Sequence, residues 1–198
     1  MKKLLVATRN KGKLKELEEL LSPLGIEVIS LADIPAIPEI EEDGDSFTAN
    51  AIKKAQETSR LTGYTCLADD SGLVVDALGG QPGIYSARFA GENASDEENN
   101  NKLLELMKNV EAQDRTARFV CVIALADANG KIATVEGICE GMIGFTPQGE
   151  NGFGYDPLFI PHGFNKTFAE LSSEEKQQIS HRGQALRKAI PVIESFIK

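Results

Sequence analysis

The chain has 198 residues, of which 41% are hydrophobic and 26% are charged, and its formal net charge is −9 at pH 7. This length and composition predict one folded domain, residues 1–198, and exclude extensive disorder. The acidic balance argues against nucleic acid as the main partner, because proteins that bind a phosphate backbone usually present a broad basic face.

No segment of the sequence is typical of a membrane span or a disulfide framework. The longest apolar run, residues 119–126, is far shorter than the roughly 20 residues that cross a bilayer. Residues 1–7 are similar to an export signal, but polar residues return from Thr8 onward, so we expect a cytoplasmic protein. The cysteines are odd in number and far apart, which favours reduced core thiols: Cys66, Cys121 and Cys139.

The first part of the chain predicts a strand, a helix, a second strand and a longer helix. Residues 2–7 and 27–30 predict the strands, and residues 33–44 predict an acidic loop that contains prolines. Asn10 can cap the first helix, whose apolar face recurs at helical spacing: Leu14, Leu17, Leu20, Leu21 and Leu24. The second helix, residues 45–62, begins at Asp45 or Ser46, ends before Gly63, and has an inward face of Phe47, Ala51, Ile52 and Ala55.

The rest of the chain predicts further strands and three helices. Residues 65–68 predict a strand that ends at Asp69-Asp70-Ser71-Gly72, and residues 73–78 predict a separate one. Ser95 and Glu98 form a capping box that opens a helix. Residues 117–126 and 131–139 predict a long antiparallel hairpin, because Asn-Gly is favoured in tight hairpin turns. Residues 149–157 predict a loop, residues 172–175 open a short helix, and residues 180–198 predict a last helix that Pro191 bends.

The loop after the first strand, residues 8–13, has the place and composition of a phosphate-binding turn. Ligands collect at the carboxyl ends of strands in open α/β sheets, and the free amides of a helix start attract phosphate. Lys11 and Lys13 would add positive charge, and Gly12 allows close backbone approach. The stretch is not a Walker loop, because no Gly-x-x-x-x-Gly-Lys-Ser/Thr occurs, and a surface loop with two lysines is the plain alternative.

Adjacent carboxylates at Asp69 and Asp70 predict a divalent cation site. Two such groups at the end of an apolar strand repel each other and lose hydration, which a hard cation such as Mg²⁺ relieves. Neighbouring strand side chains point to opposite faces, so one aspartate could bind the metal and the other a lysine or a helix cap. The acidic run over residues 39–45, taken alone, is more typical of a solvated loop.

Two later segments contain candidate binding groups. Residues 152–157, Gly-Phe-Gly-Tyr-Asp-Pro, combine flexible glycines with aromatics, which suits stacking on a flat base or a turn whose aromatics pack in the core. Ser180-His181-Arg182 brings a hydroxyl, an imidazole and a guanidinium together near a helix start. A His-Arg pair is usually a surface feature, and the histidines lack metal-ligand spacing.

Six motifs therefore occur in chain order: residues 8–13 with Glu16, 41–44, 68–73, 83–88, 152–157 and 180–182. Together they resemble the inosine triphosphate pyrophosphatase family, also called XTP/dITP diphosphatases. The resemblance implies an α/β fold with a long, mixed, twisted sheet and flanking helices, arranged as two lobes around a central nucleotide-binding cleft, and a homodimer. The implied activity is hydrolysis of aberrant purine nucleoside triphosphates (ITP, dITP, XTP) to monophosphate and pyrophosphate, which removes them from the nucleotide pool.

The resemblance also implies roles for individual positions. It places Mg²⁺ on Glu41 and Asp70, with Glu42 as the adjacent alternative, and makes Asp70 the proton acceptor. Side chains and loop amides near the base could donate hydrogen bonds to a purine 6-oxo group, which predicts discrimination against adenine. The implied substrate-binding residues are Thr8, Arg9, Asn10, Lys11, Gly12, Lys13, Ser71, Phe153, Gly154, Tyr155, Asp156, Lys176, His181 and Arg182.

Two other functions are alternatives on the sequence. A pyrophosphatase of the Maf type, which acts on modified pyrimidine nucleotides, would suit the same fold, and base selectivity would separate the two. A non-catalytic nucleotide sensor would bind the triphosphate at the metal site without turning it over.

Overall fold

A six-stranded sheet forms the framework of the computed structural model, which describes residues 2–34 and 37–197. Its strands are β1 (Lys2–Val6), β2 (Ile26–Ser30), β3 (Cys66–Val75), β4 (Thr116–Ala126), β5 (Ile132–Ile143) and β6 (Phe159–Pro161). They lie in the order β2-β1-β3-β4-β5-β6. β1 runs parallel to both β2 and β3, whereas β5 and β6 are antiparallel, so the sheet is mixed as expected.

Helices begin where the capping residues predict. In the described residues they are α1 (Lys11–Leu21), α2 (Phe47–Thr62), α3 (Asp96–Leu106), α4 (Ser173–Ile179) and α5 (His181–Phe196). The first four start with a side chain that accepts a hydrogen bond from an amide of the first turn: Asn10, Ser46, Ser95 and Ser172. α2 ends at Gly63, whose φ of 74° is left-handed and favours glycine. Pro191 lies inside α5.

β3 is the main correction to the sequence prediction. The pattern predicts two strands separated by Asp69-Asp70-Ser71-Gly72, but one strand runs through all four residues. Both carboxylates are buried, and lysines from α1 and α2 contact this segment. Tertiary partners therefore override the low strand propensity of aspartate and glycine. As a result, the aspartates lie inside a continuous strand, just beyond Cys66 and Leu67, which pair with β1.

Smaller corrections concern the ends of elements. Leu24 does not belong to the inward face of α1, because the helix ends at Leu21 and Leu24 is 44% exposed in a short 3₁₀ turn. β5 extends to Ile143, beyond the predicted end at residue 139, and β6 has no counterpart among the predicted strands. The Asn129-Gly130 hairpin turn is confirmed: β4 and β5 are neighbours, and the Asp127 amide donates to the Lys131 carbonyl at 3.1 Å.

Contacts within the chain divide it into two compact units. Unit 1 comprises Met1–Asp70, Cys121–Gly137 and Gly183–Lys198, and unit 2 comprises Ser71–Val120 and Ile138–Arg182. Each has its own apolar core; Leu17 and Ile123 belong to the first, and Phe119 and Phe159 to the second. The sequence predicts that the two lobes form a single domain around a central cleft. That arrangement stays a prediction. None of the helices in the described part of the chain has the length and apolar character of a membrane span.

Candidate active site

The predicted phosphate loop lies between β1 and the start of α1, as expected. Asn10 Oδ1 accepts a hydrogen bond from the Lys13 amide at 3.0 Å, and Thr8 Oγ1 accepts one from the Asn10 amide at 3.2 Å. The Arg9 guanidinium donates to the Ile37 carbonyl at 2.9 Å, which ties the loop to the segment that leads into the acidic run. The first turn of α1 contains no acidic residue, so the positive end of the helix is not neutralised locally.

Next to this loop, unit 1 contains a buried group of carboxylates and lysines. Lys13 Nζ lies 3.1 Å from Asp69 Oδ2, and the Asp69 side chain is fully buried. Lys54 Nζ donates to the Asp69 carbonyl and to Glu42 Oε1, both at 2.6 Å. Asp70 is 4% exposed. The expectation that one of the two aspartates serves a lysine is confirmed for Asp69.

The surroundings of Asp70 make it a stronger base than an ordinary aspartate. Burial raises its pKa to about 6, and the ammonium groups of Lys54 and Lys13 oppose that shift. For Lys54, burial disfavours the charged form, but attraction to Asp69, Glu42 and Asp70 outweighs burial and raises its pKa. At neutral pH the group therefore combines charged lysines with a carboxylate that can accept a proton near physiological pH.

The acidic run places its members differently. Glu42 is partly buried and paired with Lys54, and Asp43 Oδ1 lies 2.6 Å from Lys53 Nζ, whereas Glu41 is exposed. Within residues 2–34 and 37–197 no group of three or more His, Cys, Asp or Glu side chains is assembled as a metal site. Mg²⁺ commonly takes only one or two protein carboxylates and fills its shell with water and substrate phosphates, so a small donor set suits it. Glu41 as a ligand, with Glu42 as the alternative, stays a prediction.

Lys54 and Asn50 are site residues that the sequence interpretation missed. Asn50 is fully buried, and its Oδ1 accepts a hydrogen bond from the Gly44 amide at 2.8 Å. A Cβ at residue 44 would lie 2.6 Å from that oxygen, so the close approach requires glycine. Both residues share the inward face of α2 with Ala51 and Ala55. A polar residue at such a spacing is the signal that could have identified them.

In unit 2, the loop over residues 152–156 is organised around the Asp156 carboxylate. Asp156 Oδ2 accepts a hydrogen bond from the Phe153 amide at 3.0 Å and lies 2.6 Å from Lys176 Nζ; both side chains of this ion pair are buried. Gly152 has a φ of 76°, and a Cβ there would overlap the same carboxylate. Asp156 therefore shapes the loop from within.

Two cations lie beside the Phe153 ring. Lys176 Nζ is 5.0 Å from the ring centroid and Arg182 Cζ is 5.6 Å from it, distances at which a cation is attracted to the ring. Arg182 also donates to Ser71 Oγ at 2.9 Å. The structure thus brings together four of the predicted substrate-binding residues of unit 2: Ser71, Phe153, Lys176 and Arg182.

The His181-Arg182 pair is not a surface feature, so that alternative is wrong. His181 is 4% exposed and Arg182 is 2% exposed. The His181 ring stacks on Phe119 with centroids 4.6 Å apart and planes 11° apart. Helix α5 therefore begins inside the core of unit 2, and both side chains are held in place by packing.

Tyr155 and two amides of the loop make contacts within unit 2. Tyr155 packs in the core of unit 2, its hydroxyl donates to the Ser86 carbonyl at 2.7 Å, and burial raises its pKa above the ordinary value. The Phe153 amide donates to Asp156, and the Gly154 amide donates to Asp96 Oδ2 at 2.7 Å. These two amides are therefore engaged within the protein, and side chains are the better donors to a base.

Comparisons with known proteins identify the family. The model of the Ham1 family matches residues 4–192. This chain belongs to the Ham1 family. The dITP/XTP pyrophosphatase of Desulforamulus reducens is 57% identical over 191 residues, which cover 96% of this chain and 95% of that protein. The dITP/XTP pyrophosphatase of an Exiguobacterium species is 57% identical over 196 residues, 99% of each chain. A HAM1 protein from Coxiella burnetii superposes with a TM-score of 0.89 at 44% identity and covers 98% of this chain and 100% of that one.

Membership of the Ham1 family confirms the resemblance drawn from the sequence and the α/β fold with a mixed sheet. The predicted site residues of this family member form two groups, one in each unit. Unit 1 carries residues 8–13, Glu41 and Asp70, and unit 2 carries Ser71 and the groups around Phe153. The boundary falls between Asp70 and Ser71 in β3, so one strand supplies a residue to each group.

Proposed function

We propose that this chain hydrolyses purine nucleoside triphosphates with a non-standard base, such as ITP, dITP and XTP, to the nucleoside monophosphate and pyrophosphate. The main observation behind this proposal is the group in unit 1 where the buried carboxylates of Asp69 and Asp70 lie beside the ammonium groups of Lys13 and Lys54. The names of the relatives, dITP/XTP pyrophosphatases that match nearly the whole chain, support the substrate class.

The residues of unit 1 can perform the hydrolysis. Asp70 accepts the proton of the attacking water, because its carboxylate is buried beside the phosphate loop; without a metal ion, burial raises its pKa to about 6. Lys13 and Lys54 are held by Asp69 and Glu42, so their positive charges are fixed before substrate arrives. Fixed charges of this kind stabilise negative charge that develops on phosphate oxygens. The amides at the start of α1 would hold the departing pyrophosphate.

Magnesium belongs to the proposal, with Asp70 and Glu41 as ligands and Glu42 as the alternative. The donor set fits: the charged form of the Asp70 carboxylate is disfavoured by burial, and a divalent cation would favour it. When bound, the ion would supply positive charge against the triphosphate. The residues of this chain orient the substrate and hold the proton at Asp70.

The unit 2 residues would select a 6-oxo purine. Phe153 offers a stacking surface, and the Lys176 and Arg182 side chains beside it are donors only. Lys176 contacts Asp156 and Arg182 contacts Ser71. In this proposal both side chains, an ammonium with three donor hydrogens and a guanidinium with five, turn a donor to a substrate oxygen when the nucleotide binds. Adenine would present an amino group to these donors, and such a mismatch can reduce catalytic efficiency by roughly 10⁴-fold.

We also propose that the chain works as a homodimer in the cytoplasm. The family resemblance supports the homodimer. Light scattering of the purified chain over a concentration series tests it: a dimer mass is expected, and a monomer at all concentrations would contradict it.

A nucleotide panel tests the activity. Purified chain is assayed with ITP, dITP, XTP, GTP, ATP and a modified pyrimidine triphosphate, with Mg²⁺ or with excess EDTA, and the phosphorus products are identified. Pyrophosphate from the first three nucleotides, with Mg²⁺ only, is expected. Orthophosphate as the primary product or equal efficiency on ATP and ITP would reject the assignment, and turnover in EDTA would reject the metal. Preference for the modified pyrimidine would favour the Maf type, and tight binding without turnover would favour a sensor.

A further inference from the structure

The start of α3 holds Gly154 of the Phe153 loop through both its amide and its carbonyl. Asp96 Oδ2 accepts a hydrogen bond from the Gly154 amide at 2.7 Å, and Asn100 Nδ2 donates to the Gly154 carbonyl at 2.9 Å. Asp96 and Asn100 are four residues apart and therefore lie on the same face of the helix. We call these two side chains the Gly154 clamp.

The same helix also fixes the neighbouring residue of the loop. Asn99 Oδ1 accepts from the Ala90 amide at 2.8 Å, and Asn99 Nδ2 donates to the Ala87 carbonyl at 3.1 Å. The preceding residue in that segment, Ser86, receives the Tyr155 hydroxyl at its carbonyl. Two consecutive loop residues, Gly154 and Tyr155, are thus positioned from α3, one directly and the other through residues 86–90.

Hydrogen bonds, rather than packing, set the position of Gly154. Gly154 has no side chain, its φ is 61°, and it belongs to neither a helix nor a strand. A cavity of about 440 Å³ borders the clamp and the loop, with Asp96, Asn100, Phe153 and Gly154 among its lining residues. Loss of the clamp would therefore leave room for the loop to move.

The Asn100 side chain is buried beside the loop. It is 7% exposed, and its Oδ1 is buried without a hydrogen-bond partner in the described part of the structure. The donation of Nδ2 to the Gly154 carbonyl is therefore the contact that orients the side chain. The Asp96 contact is charge-assisted, which strengthens it.

We infer that Asp96 and Asn100 are positioning residues that set base selectivity, because they fix Gly154 and thereby the Phe153 ring. The inference rests on the proposed function. The two residues act through the loop, and the hydrolytic groups of unit 1 do not include them. When the loop loosens, binding of the base weakens equally in the ground and transition states, so KM rises while kcat is retained. Discrimination between ITP and ATP falls, because the ring and the donors beside it no longer present one geometry.

The test compares Asp96→Ala with Asp96→Asn and Glu97→Ala. Removal of the Asp96 carboxylate is expected to raise KM for ITP roughly tenfold and to reduce the ITP-to-ATP selectivity by a similar factor, with kcat changed less than about twofold. Asp96→Asn keeps an acceptor for the Gly154 amide and should restore most of the selectivity. Glu97→Ala removes a carboxylate from the same helical turn and the same cavity and should leave both constants unchanged.

Asn100→Asp tests the other half of the clamp, since it turns an acceptor toward the Gly154 carbonyl and should reduce selectivity as Asp96→Ala does. It also keeps the inference testable if Asp96→Ala does not fold. Equal losses of kcat on every nucleotide, or identical behaviour of Asp96→Ala and Glu97→Ala, would show a merely structural role and overturn the inference. Failure of the wild-type chain to release pyrophosphate from ITP or XTP would instead contradict the proposed function. An active wild type with unchanged selectivity in Asp96→Ala and Asn100→Asp contradicts the clamp alone.

Discussion

The two units of this Ham1 family member bury charge in different ways. In unit 1, burial shifts the pKa of Asp70 to about 6 despite nearby lysines. In unit 2, the Asp156 carboxylate meets the Lys176 ammonium at 2.6 Å and also accepts the Phe153 amide, so its charge is well compensated. The difference indicates that unit 1 keeps one carboxylate in an unfavourable state suited to proton and metal chemistry. Unit 2 uses its charges to hold a loop in one shape.

The largest expected effect is the loss of turnover when the buried Asp70 carboxylate is replaced. Asp70→Asn preserves the shape of the side chain but removes its charge and its ability to accept a proton, so turnover of ITP should fall by about 10³-fold. Pyrophosphate release measures the loss, and circular dichroism checks the fold. Asp69→Asn is the matched control and should cost less, because Asp69 serves Lys13. The reverse order of the two variants, at saturating Mg²⁺ and with both folded, would refute the roles given to them.

Breaking the Lys176–Asp156 ion pair of unit 2 should lower the free energy of unfolding. Lys176→Met leaves the Asp156 charge buried without its ammonium, and breaking such a pair destabilises a protein by about 3–5 kcal/mol. Chemical denaturation measures the change. The double variant Lys176→Met/Asp156→Asn should regain a large part of the loss, since no uncompensated charge is left. A Lys176→Met variant as stable as wild type would show that the pair carries no such compensation.

Removal of the Asp70 charge should stabilise the protein, whereas removal of the Lys176 charge should destabilise it. Its pKa is raised from 3.8 to about 6 in the folded chain, so the folded state binds the proton more tightly and stability falls as pH rises through this interval. Asp70→Asn removes that penalty and should stabilise the metal-free protein by about 2–3 kcal/mol near pH 7. The gain should vanish below about pH 4, where the wild-type carboxyl is protonated in both states. A destabilised variant in EDTA at neutral pH would contradict the burial argument.

Local signals in the sequence located most of the fold. Asn10, the Ser95-Glu98 capping box and Gly63 each act within a few residues of themselves, and each marks a helix end in the structure. Such local signals could not predict that β3 continues through Asp69 and Asp70. Asp69 and Asp70 look like a strand end until Lys13 and Lys54, which lie on two helices distant in sequence, are placed beside them.

The same limit applies to the site. Residues 8–13 and 152–157 stand out because glycines, aromatics and lysines are close together in the sequence. Lys54 and Asn100 do not stand out, since their partners are 12 to 15 and 54 residues away. Helical periodicity places Lys54 on the inward face of α2, but only the fold reveals the carboxylates that it meets. A site assembled by tertiary contacts is therefore predicted best where its residues are also neighbours in the chain.

The smallest expected effects come from variants of Asn10, which separate the two roles of the first loop. These roles are to cap α1 and to bind phosphate. Asn10→Ala removes the acceptor of the Lys13 amide and should cost about 1 kcal/mol of stability, the usual value of a helix cap. Asn10→Asp keeps the cap, and a negative charge at a helix start is favourable, so its stability should equal that of wild type. If residues 8–13 bind the triphosphate, the added charge should nevertheless raise KM for ITP, because it repels phosphate oxygens where the helix would attract them. Thermal melts and steady-state kinetics on both variants measure the two roles independently. An Asn10→Asp chain with unchanged KM would place the triphosphate elsewhere in unit 1 and leave Asn10 as a cap alone.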